Sequence, residues 1–592
     1  MVRSRSTECI FNFSGTSDVR RRIDSGWVCG LEREAENGVL YSSFRGIPYV
    51  EQPVGELRFK EVGPVTPWEG CFNATEDGPV CPQYDDLYGT LVDPQRGMDE
   101  ACLLANVHVP RTSNDLLPVL VFIHGGGFQT GSGNSDLHGP EYLMTKDVIL
   151  ITFNYRINVF GFLSLGTAEV PGNCGLRDVL ALLQWVQRNA GAFGGDPDNV
   201  TIAGQSAGAV LAHLLSLSTA AKGLFQRAIL MSGTAIEAFY TSSPEYANKT
   251  ATNLLNILGI NSNDPEIHEK LIKMPLEKIM DANRQVQFAT KFISFSPVID
   301  GIYPGIKRIL DDEPINLIRR GRGSDIPLIV GVMSAEGEFF RQKIKFMDIM
   351  NAIKQSPAIL LRSNLANSVS NQTAAQLGQQ VMQRYTIKDN FTINDFLRVL
   401  TDSIFMYPAF KLAQLRASME DAPVYLYQFS YPSTRNLVKE GLMLDYEGAA
   451  HVEDLTFLFR NNALLGHRKS FPPINSDDLM KFWMTEIVVN FMRCSAPECQ
   501  NESAWPPVDA AKLNYQSLYN PVFNQTHESA SPAQREIIQF NDAIEESARF
   551  VNKTNDMKKK PKRLQSFLPA LLCRVALRTG GSFSINVGGR KG

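Results

Sequence analysis

The chain has 592 residues, 44% of them hydrophobic and 20% charged, which gives it ample material for a sizeable core and sets it apart from disordered or fibrous chains. A formal net charge of −4 leaves the body without the basic footprint that nucleic-acid binding requires. No run of about 18 uncharged apolar residues occurs, so no transmembrane helix is expected.

Residues 1–24 are polar and rich in Arg and Ser. They lack the apolar stretch of a secretory signal peptide and are set apart as an atypical N-terminal segment. Residues 26–49 read as two paired strands ending in Phe44-Arg45-Gly46-Ile47-Pro48-Tyr49, and 53–67 as a loop that holds Arg58-Phe59. The apolar run 117–123 suits a buried central strand. His124-Gly125-Gly126-Gly127-Phe128 follows it directly. Successive glycines at a strand end let backbone N–H groups approach a ligand closely, as in half of an oxyanion hole; taken alone they are equally a flexible turn.

A second buried strand is expected over 148–154 and a helix over 175–190 with Leu176, Val179, Leu183 and Val186 on one face. Then comes the most informative stretch. Val200, Ile202 and Ala203 read as a strand, Gly204-Gln205-Ser206-Ala207-Gly208 as a sharp turn, and the apolar residues from Ala209 to Leu215 as a helix. Strand, turn and helix form the context in which Gly-x-Ser-x-Gly marks a nucleophile elbow rather than an ordinary glycine-rich turn. Residues 228–233 supply another strand, 242–325 a helical and irregular insertion, and 326–332 a further strand. Alternation of this kind gives a mostly parallel sheet with helices on both faces.

Glu336 follows that last strand and is placed to orient a histidine, with Glu338 as the local competitor. The strand 424–429 precedes a small-residue loop that carries His451, one of eight histidines. The order Ser206, Glu336, His451 matches the nucleophile, acid, histidine order of α/β-hydrolases. The body ends near residue 550. Residues 551–592 read as a basic, disordered tail; from 556 on it carries nine Lys/Arg and one acid.

The motifs His124-Gly-Gly-Gly-Phe128, Gly204-Gln-Ser-Ala-Gly208, Ser334-Ala-Glu-Gly337 and Gly448-x-x-His451-x-x-Asp454, with Gly172-Asn-Cys-Gly-Leu-Arg-Asp178 and Phe193-Gly-Gly-Asp-Pro197, resemble those of the type-B carboxylesterase/cholinesterase family over residues 25–550. Gln before the serine, the Arg58-Phe59 pair and the Gly-x-x-His-x-x-Asp pattern are similar to those of the insect juvenile hormone esterase subgroup. Three features depart from the family. Glu100-Ala-Cys-Leu-Leu-Ala-Asn106 replaces its usual Glu-Asp-Cys-Leu-Tyr-Leu-Asn, Asp178-Val179 stands where Asp-Gln is expected, and both termini look foreign. No tryptophan lies between Cys81 and Cys102, where cholinesterases place their choline-stacking residue.

The resemblance implies an α/β-hydrolase fold and a Ser206–His451–Glu336 triad, with an oxyanion hole made by Gly126, Gly127 and Ala207. It further implies a Cys81–Cys102 disulfide and a buried Arg45–Glu100 ion pair. The substrate it implies is a small apolar ester, the methyl ester of juvenile hormone foremost, with a broader insect carboxylesterase as the nearest alternative. A non-catalytic, neuroligin-like adhesion protein is the alternative of another class. No cofactor or metal is expected, and no nucleic-acid partner; the chain is expected to act as a monomer. Secretion is implied by the family, and nine Asn-x-Ser/Thr sequons agree with it, although Asn199 leads straight into the elbow strand and is not expected to carry a glycan.

Overall fold

The computed structural model describes residues 18–84, 97–114, 116–236, 242–290, 293–346, 348–387, 390–433, 438–439, 442–462, 475–499, 505–520 and 526–558. The final helix, Pro532–Lys558, continues into the segment expected as a disordered tail, and the tail from 559 on lies outside the described residues.

Among the described residues thirteen strands form one sheet. In chain order they are β1 (Asp18–Ile23), β2 (Gly26–Glu34), β3 (Leu40–Pro48), β4 (Cys71–Asn73), β5 (Leu104–Pro110), β6 (Leu117–Ile123), β7 (Ile149–Phe153), β8 (Gly195–Gln205), β9 (Arg227–Met231), β10 (Leu328–Met333), β11 (Val424–Phe429), β12 (Asn514–Leu518) and β13 (Thr526–Ser529). Their spatial order is β1-β2-β3-β5-β7-β6-β8-β9-β10-β11-β12-β13, with β4 beside β2. From β7 to β12 every neighbouring pair is parallel, and the outer pairs β1–β2, β2–β3, β3–β5, β5–β7 and β12–β13 are antiparallel.

The expected strands over 117–123, 148–154, 228–233, 326–332 and 424–429 appear within a residue or two of those bounds. They were legible because parallel strands covered on both faces carry continuous apolar runs. Alternate residues of each strand feed opposite faces. Val119, Val121 and Ile202 join one core cluster with Leu176, Leu183 and Leu211; Leu120, Phe122 and Ile329 join another with Met484, Val488 and Phe491. The helices Cys174–Asn189 and Ala207–Ser216 thus cover one face and Asn475–Cys494 the other. The insertion after β9 folds as helices Pro244–Ile257, Ile267–Lys273, Leu276–Thr290 and Pro314–Arg319.

Some expectations change. The polar segment set apart at 1–24 supplies β1, whose Asp18–Ile23 pairs antiparallel with Gly26–Leu31. Its arginines did not read as strand, yet Arg20 and Arg22 lie over the Trp27 ring and Arg21 over Phe44. The implied Arg45–Glu100 pair does not form. Arg45 Nη1 donates to Asp77 Oδ2 at 2.7 Å, while Arg58 grips Glu100 in a bidentate pair through Nε (2.6 Å) and Nη2 (2.5 Å). Arg45 is drawn away because its Nη2 also donates to Thr75 O, whereas Arg58 is anchored near Glu100 by donation to Leu271 O and Met274 O. Cys81 and Cys102 are bonded as implied, and two further disulfides join Cys29 to Cys71 and Cys494 to Cys499. Cys174 is a buried free thiol. Asn199 Oδ1 accepts from Arg227 Nη1 at 2.7 Å, which holds the side chain against β9.

Candidate active site

Strands β6 and β8 lie side by side in parallel, with Ile123 opposite Gly204. Their C-terminal ends therefore deliver His124–Phe128 and Ser206 to the same place at the sheet edge. Ser206 sits at φ 56°, ψ −123°, outside the regions a non-glycine residue normally adopts, and heads the helix Ala207–Ser216. Its own N–H donates to Met231 O at 2.7 Å, which ties the elbow to β9. Close approach explains the flanking glycines. A Cβ on Gly208 would lie 2.0 Å from Ile123 O, and one on Gly233 would lie 2.2 Å from Ser206 O. Such strain persists only where the surrounding fold imposes it, and it collects at functional sites.

Gly126 and Gly127 both adopt positive φ, 105° and 63°. The turn they make is closed by Gln129 N and Thr130 N donating to Gly126 O. A Cβ on neighbouring Gly125 would come within 3.1 Å of Ser206 Cβ, so this loop packs directly on the serine. Ala207 is the first residue of its helix, where the N–H has no intrahelical carbonyl to bind. The helix N-terminus adds a favourable field for negative charge at that point.

Glu336 and His451 arrive from β10 and from the loop after β11. The two loops are pinned together: Ala335 N donates to Ala449 O at 2.8 Å, and Ala449 N to Ser334 Oγ at 3.0 Å. His451 Nδ1 and Glu336 Oε2 are 2.6 Å apart, and Glu336 Oε1 accepts from Met333 N at 2.8 Å. Both residues are buried, Glu336 completely. An ionised carboxylate only accepts, so His451 carries its proton on Nδ1 and presents the Nε2 lone pair. Gln205 Nε2 lies 3.1 Å from that lone pair. The competitor Glu338 is drawn off by Arg341, at 2.7 and 2.8 Å.

The side chains that surround the imidazole went unread in the sequence. Phe339, Phe340 and Phe405 ring His451 at centroid distances of 5.6, 5.6 and 4.8 Å. The first two sit in the short helix Glu336–Phe340; Phe405 comes from a π-helical stretch, Leu400–Met406. Their adjacency to Glu336 was the only available signal for the first pair. Asp454, from the same motif as His451, is fully buried and accepts from Tyr427 Oη at 2.8 Å. Burial pushes its carboxyl up to about 7. Among the described residues no group of three or more His, Cys, Asp or Glu is placed to hold a metal ion, and no helix is long and apolar enough to cross a membrane.

A strained serine, a glycine loop packed on it and a buried His–Glu pair form an arrangement suited to acyl transfer. Comparison with known proteins agrees. The model of the carboxylesterase family matches residues 17–535. The chain is 45% identical to the juvenile hormone esterase of Heliothis virescens, over 90% of this chain and 95% of that one, and 30% identical to esterase FE4 of Myzus persicae, over 90% and 94%. The crystal structure of juvenile hormone esterase from Manduca sexta, with OTFP covalently attached, superposes with a TM-score of 0.86 at 49% identity, covering 89% of this chain and 99% of that one. The chain therefore belongs to the carboxylesterase family, has the α/β-hydrolase fold and is an enzyme acting on carboxylic esters.

Proposed function

We propose that the chain hydrolyses the methyl ester of juvenile hormone, with Ser206 as nucleophile, His451 as general base and acid, and Glu336 orienting the imidazole. Ser206 Oγ attacks the ester carbonyl carbon as its proton passes to His451 Nε2. The N–H groups of Gly126, Gly127 and Ala207 hold the oxyanion that develops. His451 then protonates the departing methoxide, which leaves as methanol with the acyl group on Ser206. Water repeats the attack and releases the acid. Glu336 keeps the proton of the resting imidazole on Nδ1 and stabilises the imidazolium formed at each step. This chemistry asks nothing of a metal or cofactor.

The observation that carries the choice of substrate is the ring of phenylalanines at the base. Phe339, Phe340 and Phe405 set three apolar rings beside the base, surroundings suited to a terpenoid ester. The similarity to two named juvenile hormone esterases points the same way. Secretion belongs to the same reading and is supported by three disulfides, which persist in oxidising compartments.

The test is kcat/KM of the purified chain on juvenile hormone against a short-chain aryl ester, with Ser206→Ala as the blank. A much higher value on the hormone is expected. Good turnover of the aryl ester with little on the hormone would leave a broader carboxylesterase, and turnover that survives in Ser206→Ala would remove the triad.

A further inference from the structure

The phenylalanines that suit an apolar acyl group raise a difficulty for the second half of the reaction. Water must reach the acyl-serine beside His451, and a bound apolar chain blocks the approach from that side. The structure offers another approach. Behind Gln205 lies a cavity of about 30 Å³ for water-sized occupants, room for about two waters. Its inner wall is Gly125 and Gln205, with His124 and His138 beside them. Its outer wall includes Leu137 and Thr456, both half-buried.

The lining carries no charged side chain; Val452 and Leu455 share it with the polar groups of His138, Gln205, Thr456 and Asn461. Burial pushes His124 down to about 4 and His138 down to about 3, so both rings are uncharged at neutral pH. His138 Nδ1 is buried without a protein partner, the kind of group that an ordered water satisfies. Gln205 connects this cavity to the chemistry. Its side chain lines the cavity, and its amide nitrogen reaches within 3.1 Å of His451 Nε2.

We propose that this cavity supplies the hydrolytic water and that Gln205 is the positioning residue that hands it to His451. The inference rests on the acyl-enzyme reading of Ser206. In the acyl-enzyme a water from the cavity takes the place beside His451 Nε2 that the Gln205 amide fills in the resting site. The amide swings with it and holds the water by a hydrogen bond. The water oxygen forms a bond to the acyl carbon while its proton passes to His451 Nε2. The bond from that carbon to Ser206 Oγ then breaks, and Oγ recovers the proton from His451 Nε2. The first half-reaction needs no water and does not use the cavity.

The test separates the two halves with p-nitrophenyl decanoate, whose apolar acyl chain occupies the phenylalanine side, in a rapid-mixing experiment, reading acylation from the burst and deacylation from the steady state. Two variants reach the cavity from opposite ends: Gln205→Met removes the amide at similar length, and Leu137→Phe fills the space from the outer wall. Titration with an organophosphate counts the folded sites in each preparation, so rates refer to competent enzyme only. Both variants are expected to retain the burst rate and lose deacylation, Gln205→Met by about tenfold, the worth of one hydrogen bond to the reacting water. Loss of both rates together, or unchanged deacylation in either variant, overturns the proposal. A parent chain whose Ser206 takes no organophosphate overturns the acyl-enzyme reading itself, whereas a labelled parent with normally deacylating variants overturns the water route alone.

Discussion

A methyl group at Gly126 and one at Gly127 would meet different surroundings, and the contrast gives a graded test of the oxyanion hole. At Gly126 the new Cβ would lie 2.7 Å from Thr130 C and 2.1 Å from Thr130 O, the second more than 1 Å inside the 3.4 Å at which ordinary contact begins. Thr130 has little freedom to retreat. Its N–H is bonded to Gly126 O and its hydroxyl donates to Gln83 Oε1 at 2.7 Å. Residue 126 must therefore move, and its N–H with it. A misplacement of about 1 Å costs on the order of 10²-fold in rate. Complete loss of one oxyanion donor costs about 10²- to 10³-fold in kcat. At Gly127 the Cβ would touch only Ile293, at 3.9 and 4.0 Å, so the penalty is left-handed strain of roughly 1–2 kcal/mol with the N–H left in place. Gly126→Ala should thus lose two to three orders of magnitude in kcat with KM little changed, and Gly127→Ala tenfold or less. The assay is steady-state hydrolysis of a short-chain aryl ester, with circular dichroism to establish the fold of each variant. Equal small losses, or a larger loss in Gly127→Ala, would refute the reasoning.

Glu336→Gln should lower kcat by about 10⁴-fold at nearly unchanged KM, because an amide no longer fixes the proton of His451 on Nδ1; a loss below tenfold would show that Glu336 does not orient the base. Replacing Cys29 and Cys71 together by serine opens a 42-residue loop and should remove about 4 kcal/mol of stability on the chain-entropy account, read from the guanidinium midpoint with the activity of the folded fraction intact. An unchanged midpoint would mean that the β2–β4 pairing alone holds that segment. Asp454 gives a pH signature. Burial raises its carboxyl to about 7, so in the folded chain it keeps a proton that the unfolded chain has already lost. Its stabilising contribution is full below about pH 4, the ordinary range for an aspartate, and is lost as pH rises through 7. Asp454→Asn should therefore flatten the fall in Tm between about pH 4 and 7, and a slope identical to the parent's would show that Asp454 is ionised in the fold.

The parts of the fold that the sequence made legible are those whose physics is local. Continuous apolar runs announced β6, β7, β9, β10 and β11, and the turn after β8 was readable from its glycines, of which Gly204 is forced by the backbone of Gly208 and Ala209 and Gly208 by Ile123 on the neighbouring strand. Choices settled by tertiary contact were not readable. Glu336 and Glu338 are equivalent as sequence; Arg341 removes one and the pinned loop at Ala449 brings His451 to the other. Arg45 and Arg58 were likewise indistinguishable as partners for Glu100 until Thr75 O claimed the first and the carbonyls of Leu271 and Met274 the second. Phe405 escaped notice because a π-helical stretch breaks the 3.6-residue period on which a face is read. β1 escaped because its arginines, which pack on Trp27 and Phe44, look like a solvated charge run.

The pin between the Glu336 and His451 loops joins residues 115 apart in the chain, on the far side of β11. During synthesis the elbow serine and the strands that shape its strained turn, β6, β8 and β9, emerge hundreds of residues before translation ends. The imidazole arrives only after β11 has been made and docked against β10. On the proposed chemistry, Ser206 is therefore complete as a piece of chain long before His451 can stand beside it, and ester hydrolysis waits on the last third of the polypeptide.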